Sequence, residues 1–559
     1  MLRPQRNAHR DAIDLSGVWE ARRADGLALL LAVPASWNEQ HSELRHYQGR
    51  VTYQRSLWVP AEWHGRDIVA RLDAAAYRAR VWCNGSLVGA SEVGFLPAEF
   101  DVTTAVRLGA VNEMVIEVDA ELGSETVPQG GIGGFGLLGR QSPDVPFDFY
   151  PFGGLHRPVW LSARPQGGLS SVRIETAVDG TIRARVAAES GTRARLTAAG
   201  QCFEAEMHHG QADIGMRIDG VRLWSPDDPH LYRATIQLLA GARVVDEYGL
   251  DFGVRSVCVD GDALLLNGRP LFLRGFGRHE DFPVIGRGEL PAQQIRDFDL
   301  MRWTGANSFR TSHYPYSESM LDLADRLGFL VIDETAAVSL HIQDHPGLLP
   351  ALRDQLGRLI ERDANHPSVI MWSVANEPVL IGDPAARAFF ADVVAHVRSL
   401  DSTRPVTFAA VMGTPPEDEV FDLFDVIALN RYWGWYVLAG EIESAMQAFG
   451  AELDMIHDRF RKPVLLSEFG ADAVAGIHTE PAEVWSEEYQ AELIERTCTV
   501  AESKPYCIGT HVWNFADFAT GQAFFRVVGN RKGVFTRTRE PKLAAHRLRA
   551  RWVVKGRSD

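Results

Sequence analysis

Cysteine is scarce in this sequence. Its 559 residues include five, Cys83, Cys202, Cys258, Cys498 and Cys507, an odd number scattered far apart. That pattern fits neither a disulfide framework nor a zinc site and predicts reduced core thiols. A long apolar run is also missing. The stretch LALLLAV, Leu27 to Val33, is far too short to cross a bilayer. The opening residues MLRPQRNAHRDAIDLSG are polar and hold no signal-type apolar segment, so a cytoplasmic protein is expected. Positive charge is in deficit, with 57 Lys and Arg against 73 Asp and Glu and a net charge of −16. Such a chain is a poor partner for nucleic acid or an anionic membrane. The His and Asp residues of the C-terminal half show no metal-ligand spacing, and no cofactor is expected.

What is present is an ordinary globular composition, 46 % apolar and 23 % charged, in a chain too long for one core. Residues 1–165 read as short strands, among them RVTYQRSLWV, RARVWCNG and NEMVIEVDA, which predict a jelly-roll β-sandwich. Pro165-Gln-Gly-Gly marks a linker. Residues 166–256, with SVRIETAV and YRATIQLLA, suit an immunoglobulin-like β-sandwich. From 257 to 559 short apolar runs alternate with amphipathic helical text. Eight candidate strands emerge: LFLRGFG, ANSFRTS, FLVIDET, VIMWSVANE, VTFAAV, VIALNRY, VLLSEFG and GTHVWNFAD. They predict a (β/α)₈ TIM barrel, with the first strand the weakest.

One feature of the fourth strand needs explaining. VIMWSVANEP is apolar enough to be buried on both faces, yet it ends in Glu377. Strand seven, in KPVLLSEFGAD, ends in Glu468. Barrel active sites lie at the C-terminal strand ends, so both carboxylates would face one mouth. Such a pair can hydrolyse a glycosidic bond, with retention if ~5–5.5 Å apart and inversion if ~6.5–9.5 Å apart. The competing reading is a structural ion pair, with Arg310 of FRTSHYP as a partner.

SVANEP and LSEFG resemble the acid/base and nucleophile motifs of glycoside hydrolase family 2, a retaining family, and the order of regions matches over nearly the whole chain. The resemblance implies Glu377 as general acid/base, Glu468 as nucleophile and Asn376 on the sugar 2-hydroxyl. Within the family the sequence is most similar to the β-glucuronidase branch, through GFGRHED, GANSFRTSHYPY, IDETAAV, LNRYWGWY, VWNFADFAT and GNRKGVFTR. In the last of these, Asn530 and Lys532 match an Asn-x-Lys motif that holds a uronate carboxylate. An amide and an ammonium side by side suit that anion, although N-R-K alone is usually a solvated turn.

By the same matching Asp148 reads a sugar hydroxyl, though a loop aspartate also caps turns. His279 and Asn430 become glycon contacts, Tyr432, Tyr436 and Trp513 an aromatic wall, with Trp433 and Trp435 left as core. Arg526 helps place the carboxylate. Arg310 orients Glu468 and keeps it ionised. The implied substrate is a β-D-glucuronide and the implied assembly a homo-oligomer, dimer or tetramer. A β-galacturonidase, a dual uronidase and a non-catalytic carbohydrate binder are the alternatives. A neutral-sugar hydrolase is disfavoured because Lys532 would then face no anion. Between Val338 and Asn365 the chain lacks a long loop that some of the branch carry, which implies a more open mouth.

Overall fold

The structure, a computed structural model, describes residues 1–131, 143–343, 345–379 and 385–555. The N-terminal region packs two antiparallel sheets. One has six strands, in spatial order Ala28–Val33, Gly17–Arg23, Arg50–Val59, Ala110–Asp119, Arg78–Cys83 and Ser86–Ser91. The other has four, Asp11–Asp14, Val159–Pro165, Arg66–Leu72 and Ala98–Asp101. Alternation explains the packing: in RVTYQRSLWV, Val51, Tyr53, Leu57 and Val59 are buried while Arg50, Gln54 and Trp58 face out. The next region pairs a three-stranded sheet with a four-stranded one around Ile182, Val186, Leu196, Ile236 and Leu238.

The third region is a closed parallel barrel. Its strands are β1 (Leu273–Gly277), β2 (Ser308–Arg310), β3 (Leu330–Glu334), β4 (Val369–Asn376), β5 (Val406–Ala410), β6 (Ile427–Asn430), β7 (Val464–Glu468) and β8 (Cys507–Val512). Seven lie within their expected stretches, the weakly signalled first strand included, and β8 begins two residues earlier than GTHVWNFAD, at Cys507. The helical text between them behaves as written. PAQQIRDFDLMRWTG forms Pro291–Thr304 with proline in the first turn and Gly305 in the left-handed region. Glu318–Leu327 starts on the Ser317 hydroxyl, which accepts from the Met320 N–H.

The third region opens on a small antiparallel sheet ahead of the barrel strands, Val257–Asp260, Ala263–Leu266 and Arg269–Pro270. Its Val257, Leu264 and Leu266 pack on Leu273, Leu330 and Ile370 at the barrel floor. The five thiols are free, but only Cys83, Cys498 and Cys507 are core; Cys202 and Cys258 sit on outward positions of their strands and are exposed. Among the described residues no helix is long and apolar enough to cross a membrane.

Candidate active site

All eight residues of β4 are buried. At its end the register with β5 shifts between Ser373 and Asn376, and Glu377 takes a left-handed backbone, φ 48°. That conformation costs a non-glycine residue about 1–2 kcal/mol. It is held by the Glu377 N–H, which donates to Ala409 O at 2.8 Å. The strand's carboxylate is thereby turned out of the ladder and into a cavity of about 460 Å³ at the barrel mouth, which Glu468 and Asp148 also line. That volume suits a small-molecule ligand.

The end of β6 and the residues just after it contact both carboxyls. Asn430 Nδ2 donates to Glu377 Oε1 at 2.9 Å, and the Tyr432 hydroxyl donates to Glu468 Oε2 at 2.7 Å. The other Glu468 oxygen accepts from Arg310 Nη2. Arg310 does not serve Glu468 alone: its Nη1 donates to both oxygens of Glu334, at 2.7 and 2.8 Å. Glu334 also binds His313 Nδ1 at 2.9 Å and the Ser373 hydroxyl at 2.7 Å. Asn376 Oδ1 accepts from Arg310 at 3.3 Å and Asn430 at 3.1 Å, which leaves its amide nitrogen for a ligand.

Burial pushes the Glu377 carboxyl up. It pushes Glu468 up to about 8, against the pull of Arg310 and with the help of negative charge on Glu377. Glu468 by itself would then be mostly protonated at neutral pH, contrary to the expectation that Arg310 keeps it ionised. The two sites are coupled, however, and titrate as a pair. A proton on Glu377 removes the repulsion that helps to raise Glu468. Glu468 has a guanidinium and a phenol as donors, whereas Glu377 has one neutral amide, so with one proton in the pair the charge belongs on Glu468.

The far end of the cavity is built by GNRKG. Gly529 has φ 120°, and a Cβ there would lie 2.6 Å from Phe518 O; one on Gly533 would lie 2.0 Å from Asp517 N. The close approach demands glycine at both. Asn530 Oδ1 accepts from the Lys532 N–H at 2.9 Å, and its Nδ2 donates to Asp148 Oδ2 at 2.7 Å. Arg526 Nε donates to Asp148 Oδ1 at 2.9 Å. The Lys532 ammonium, 1 % exposed, donates to Asp472 and, at 3.0 Å, to the Tyr436 hydroxyl. It lies 4.8 Å from the Tyr436 ring centroid and 5.3 Å from that of Trp435.

Lys532 therefore already faces an anion, and its presence alone does not argue against a neutral sugar. Against the effect of burial, Lys532 and Arg526 hold the Asp472 carboxyl below the usual carboxylate range. Asp148 enters the cavity as expected but is engaged by Arg526 and Asn530. His279 Nδ1 meets the Tyr314 hydroxyl at 3.1 Å, while its buried Nε2 has no partner among the described residues. Burial and nearby cations push this ring well down, so it is neutral. Trp513 lines the wall and stacks on His313, centroids 4.9 Å apart.

All thirteen residues singled out from the sequence gather at this mouth. Sequence reasoning missed four: Asp472, Glu334, His313 and Trp435. Each lies inside a stretch already noted, LSEFGAD, IDETAAV, FRTSHYP and LNRYWGWY. Trp433 does act as framework, its Nε1 donating to Glu452 at 2.8 Å. Elsewhere, Asp322, Asp325 and His366 bring potential ligand atoms within 4.8 Å of one another. Arg3 pairs with Asp322 and His366 with Asp325, so this group's charge is already matched within the protein.

Comparison with known proteins bears on the same three regions. Models of the glycosyl hydrolases family 2 match the sugar binding domain at residues 8–165, a further family 2 domain at 164–255 and the TIM barrel domain at 257–555. The β-glucuronidase of Paenibacillus borealis is 36 % identical over 601 aligned positions, covering 99 % of this chain and 98 % of that protein. That of Rattus norvegicus is also 36 % identical, covering 99 % and 92 %. Among solved structures, the β-D-glucuronidase of Dictyoglomus thermophilum superposes with a TM-score of 0.90 at 38 % identity, covering 99 % of each chain. The Ruminococcus gnavus β-glucuronidase in complex with D-glucuronic acid gives 0.91 at 36 %, again covering 99 % of each chain. With all three of its regions matched and relatives aligned end to end, the chain belongs to glycosyl hydrolase family 2.

Proposed function

We propose that the protein is a retaining, exo-acting β-glucuronidase. The observation that carries this reading is the grouping of Asn530, Lys532 and Arg526 in the same cavity as Glu377 and Glu468. In this reading the reactive carbon of a pyranose sits at the Glu377–Glu468 pair and its C6 carboxylate at the Asn530, Lys532 and Arg526 donors. The relatives named above support the glucuronide assignment.

The reaction runs in two displacements. Glu468 attacks C1 while the bond to the aglycone oxygen breaks, and Glu377 gives that oxygen its proton. The product is a glycosyl ester of Glu468. That ester carries no negative charge, so the carboxyl of Glu377 is no longer raised by it, stays ionised after giving up its proton and can act as base. It takes a proton from water, the oxygen attacks C1, and the ester bond breaks to return Glu468 as carboxylate. Every bond and proton is accounted for by the two carboxyls, the sugar and water. Tyr432 and Arg310 hold the attacking carboxylate, and Asn376 faces the sugar with its amide nitrogen.

A homo-oligomer, dimer or tetramer, belongs to this reading. It is supported by Leu30, Trp58 and Val111, exposed on the outer side of the six-stranded sheet, and sedimentation velocity reads it directly. A cytoplasmic setting is supported by the exposed free thiols of Cys202 and Cys258; fractionation of the source cells tests it.

The deciding experiment compares kcat/KM on aryl β-D-glucuronide, β-D-galacturonide and β-D-galactoside for the wild type and Lys532→Ala. A glucuronide preference that collapses in the variant is expected. A galacturonide preference with the same collapse would keep the mechanism and change the substrate. No turnover of any of the three would overturn the assignment.

A further inference from the structure

The opposite end of the barrel holds an unassigned site. β4 starts at Val369 and ends at Asn376, so its floor lies about 23 Å from the mouth at ~3.3 Å per residue. There, between the immunoglobulin-like sandwich and the barrel, is a cavity of about 140 Å³ lined by Arg173, Arg255, His366, Thr403 and Arg404 among others. It has room for about four or five water-sized groups at ~30 Å³ each.

The cavity is unusually cationic. Arg255 Nη2 and Arg404 Nε donate to the same carbonyl oxygen, that of Val369, at 2.6 and 2.7 Å. Two guanidiniums are thus held side by side. The nearby carboxylates are already committed. Asp401 pairs with Arg404 at 2.7 Å and Arg173 at 3.4 Å, Glu175 lies 3.6 Å from Arg173, and Asp325 lies 2.6 Å from His366. Arg255 is left over. It is 8 % exposed, its remaining hydrogen bond goes from Nε to Pro367 O at 3.0 Å, and no carboxylate reaches it among the described residues. A buried cation without a counter-ion is costly. Among the described residues, Arg255 hydrogen-bonds through Nε and Nη2 and His366 through Nδ1. Against the effect of burial, Asp325 raises His366 to about 9, so that ring is protonated at neutral pH with Asp325 balancing its charge.

The geometry points to a binding site for a small tetrahedral oxyanion, phosphate or sulfate, with Arg255 supplying the uncompensated charge and His366 a further N–H donor. Its ligands would come from the chain leading into the barrel and from the residues preceding β4. Arg173 and Thr403 border the same space, so a bound anion ties the sandwich to the barrel floor. This site is independent of the catalytic cavity and of the activity proposed for it.

The test is thermal unfolding of the full chain in phosphate, in sulfate and in chloride of matched ionic strength. Matched chloride separates a site from general screening. A saturable rise in Tm of about 2 °C with either oxyanion is expected for the wild type. The rise should persist in Lys532→Ala, which excludes binding at the catalytic cavity, and vanish in Arg255→Met. Should Arg255→Met fail to fold, His366→Gln reads the same ligand set and should weaken the anion midpoint several-fold. No rise above the chloride control, or an equal rise in the folded Arg255 and His366 variants, would overturn the proposal. Glucuronide kcat/KM in Arg255→Met should stay within about twofold of wild type, since no ligand of this site touches the catalytic cavity.

Discussion

The two ends of the catalytic cavity treat charge in opposite ways. At the far end two cations, Arg526 and Lys532, meet two carboxylates, Asp148 and Asp472. That end's charges are balanced within the protein. At the reacting end Glu377, Glu468 and Glu334 share one guanidinium, that of Arg310, which is bound to two of the three. That end is short of positive charge, and the deficit is met by keeping a proton. The imbalance is the useful part. A buried pair that cannot ionise twice holds an acid and a nucleophile together at one pH. The balanced end does a different job: it keeps two long cationic side chains fixed before a substrate arrives.

The comparison breaks most severely if the unbalanced end is altered. Glu468→Gln is expected to lower kcat by at least about 10⁴-fold, since the proposed nucleophile has no substitute. Glu377→Gln should cost about 10²–10⁴-fold on a poor leaving group and far less on an activated aryl glucuronide, where proton donation matters little. Similar losses on both aglycones would remove the acid role from Glu377. At the balanced end, Lys532→Ala should lower glucuronide kcat/KM by about 10²–10³-fold, the range for truncating one partner of a buried charge pair. Galactoside turnover should change far less.

A subtler change separates the counter-ion from the clamp. Asp472→Asn removes the anion that balances Lys532, and a lower Tm is expected. A bound glucuronate would then supply the missing charge. D-Glucuronic acid should therefore raise the Tm of the variant by more than it raises that of the wild type. An equal or smaller rise would show that Asp472 is a positional post and that charge balance is not its role.

The uneven legibility of the sequence has a physical basis. Parallel strands buried on both faces read as continuous apolar runs, so VIMWSVAN and its seven companions are visible without a structure. The floor sheet at 257–270 is not, because its short antiparallel strands read as the approach to β1. The proposed catalytic carboxyls are visible because a strand end in a barrel has a known direction. Their partners are not. Asp472 meets a lysine 60 positions away, and Asp148 an arginine 378 positions away. No local pattern encodes which cation a loop carboxylate will meet once the barrel closes. Arg310 shows the same limit: its motif marks it as a partner for Glu468, but the claim of Glu334 on the same guanidinium appears only in three dimensions.

The smallest expected effect concerns protons and sharpens the contrast most. The active state of the pair carries one proton. At low pH Glu468 is protonated and cannot attack; at high pH Glu377 has lost the proton it must donate. A bell-shaped kcat/KM profile follows. In Glu377→Gln the alkaline limb should disappear while the acid limb stays within a few tenths of a pH unit, because the first ionisation of the wild type already occurs beside a neutral Glu377. The stability consequence has a definite sign. Each carboxyl is raised in the folded state, so the native protein binds more protons than the unfolded chain between the two values, and stability falls as pH rises through that window. Removing the acid at Glu377 should therefore raise Tm modestly above about pH 6, and by less at pH 4, where the unfolded carboxyl is also largely protonated. A variant whose Tm gain does not grow with pH, or whose alkaline limb survives, would place the stored proton elsewhere than on this pair.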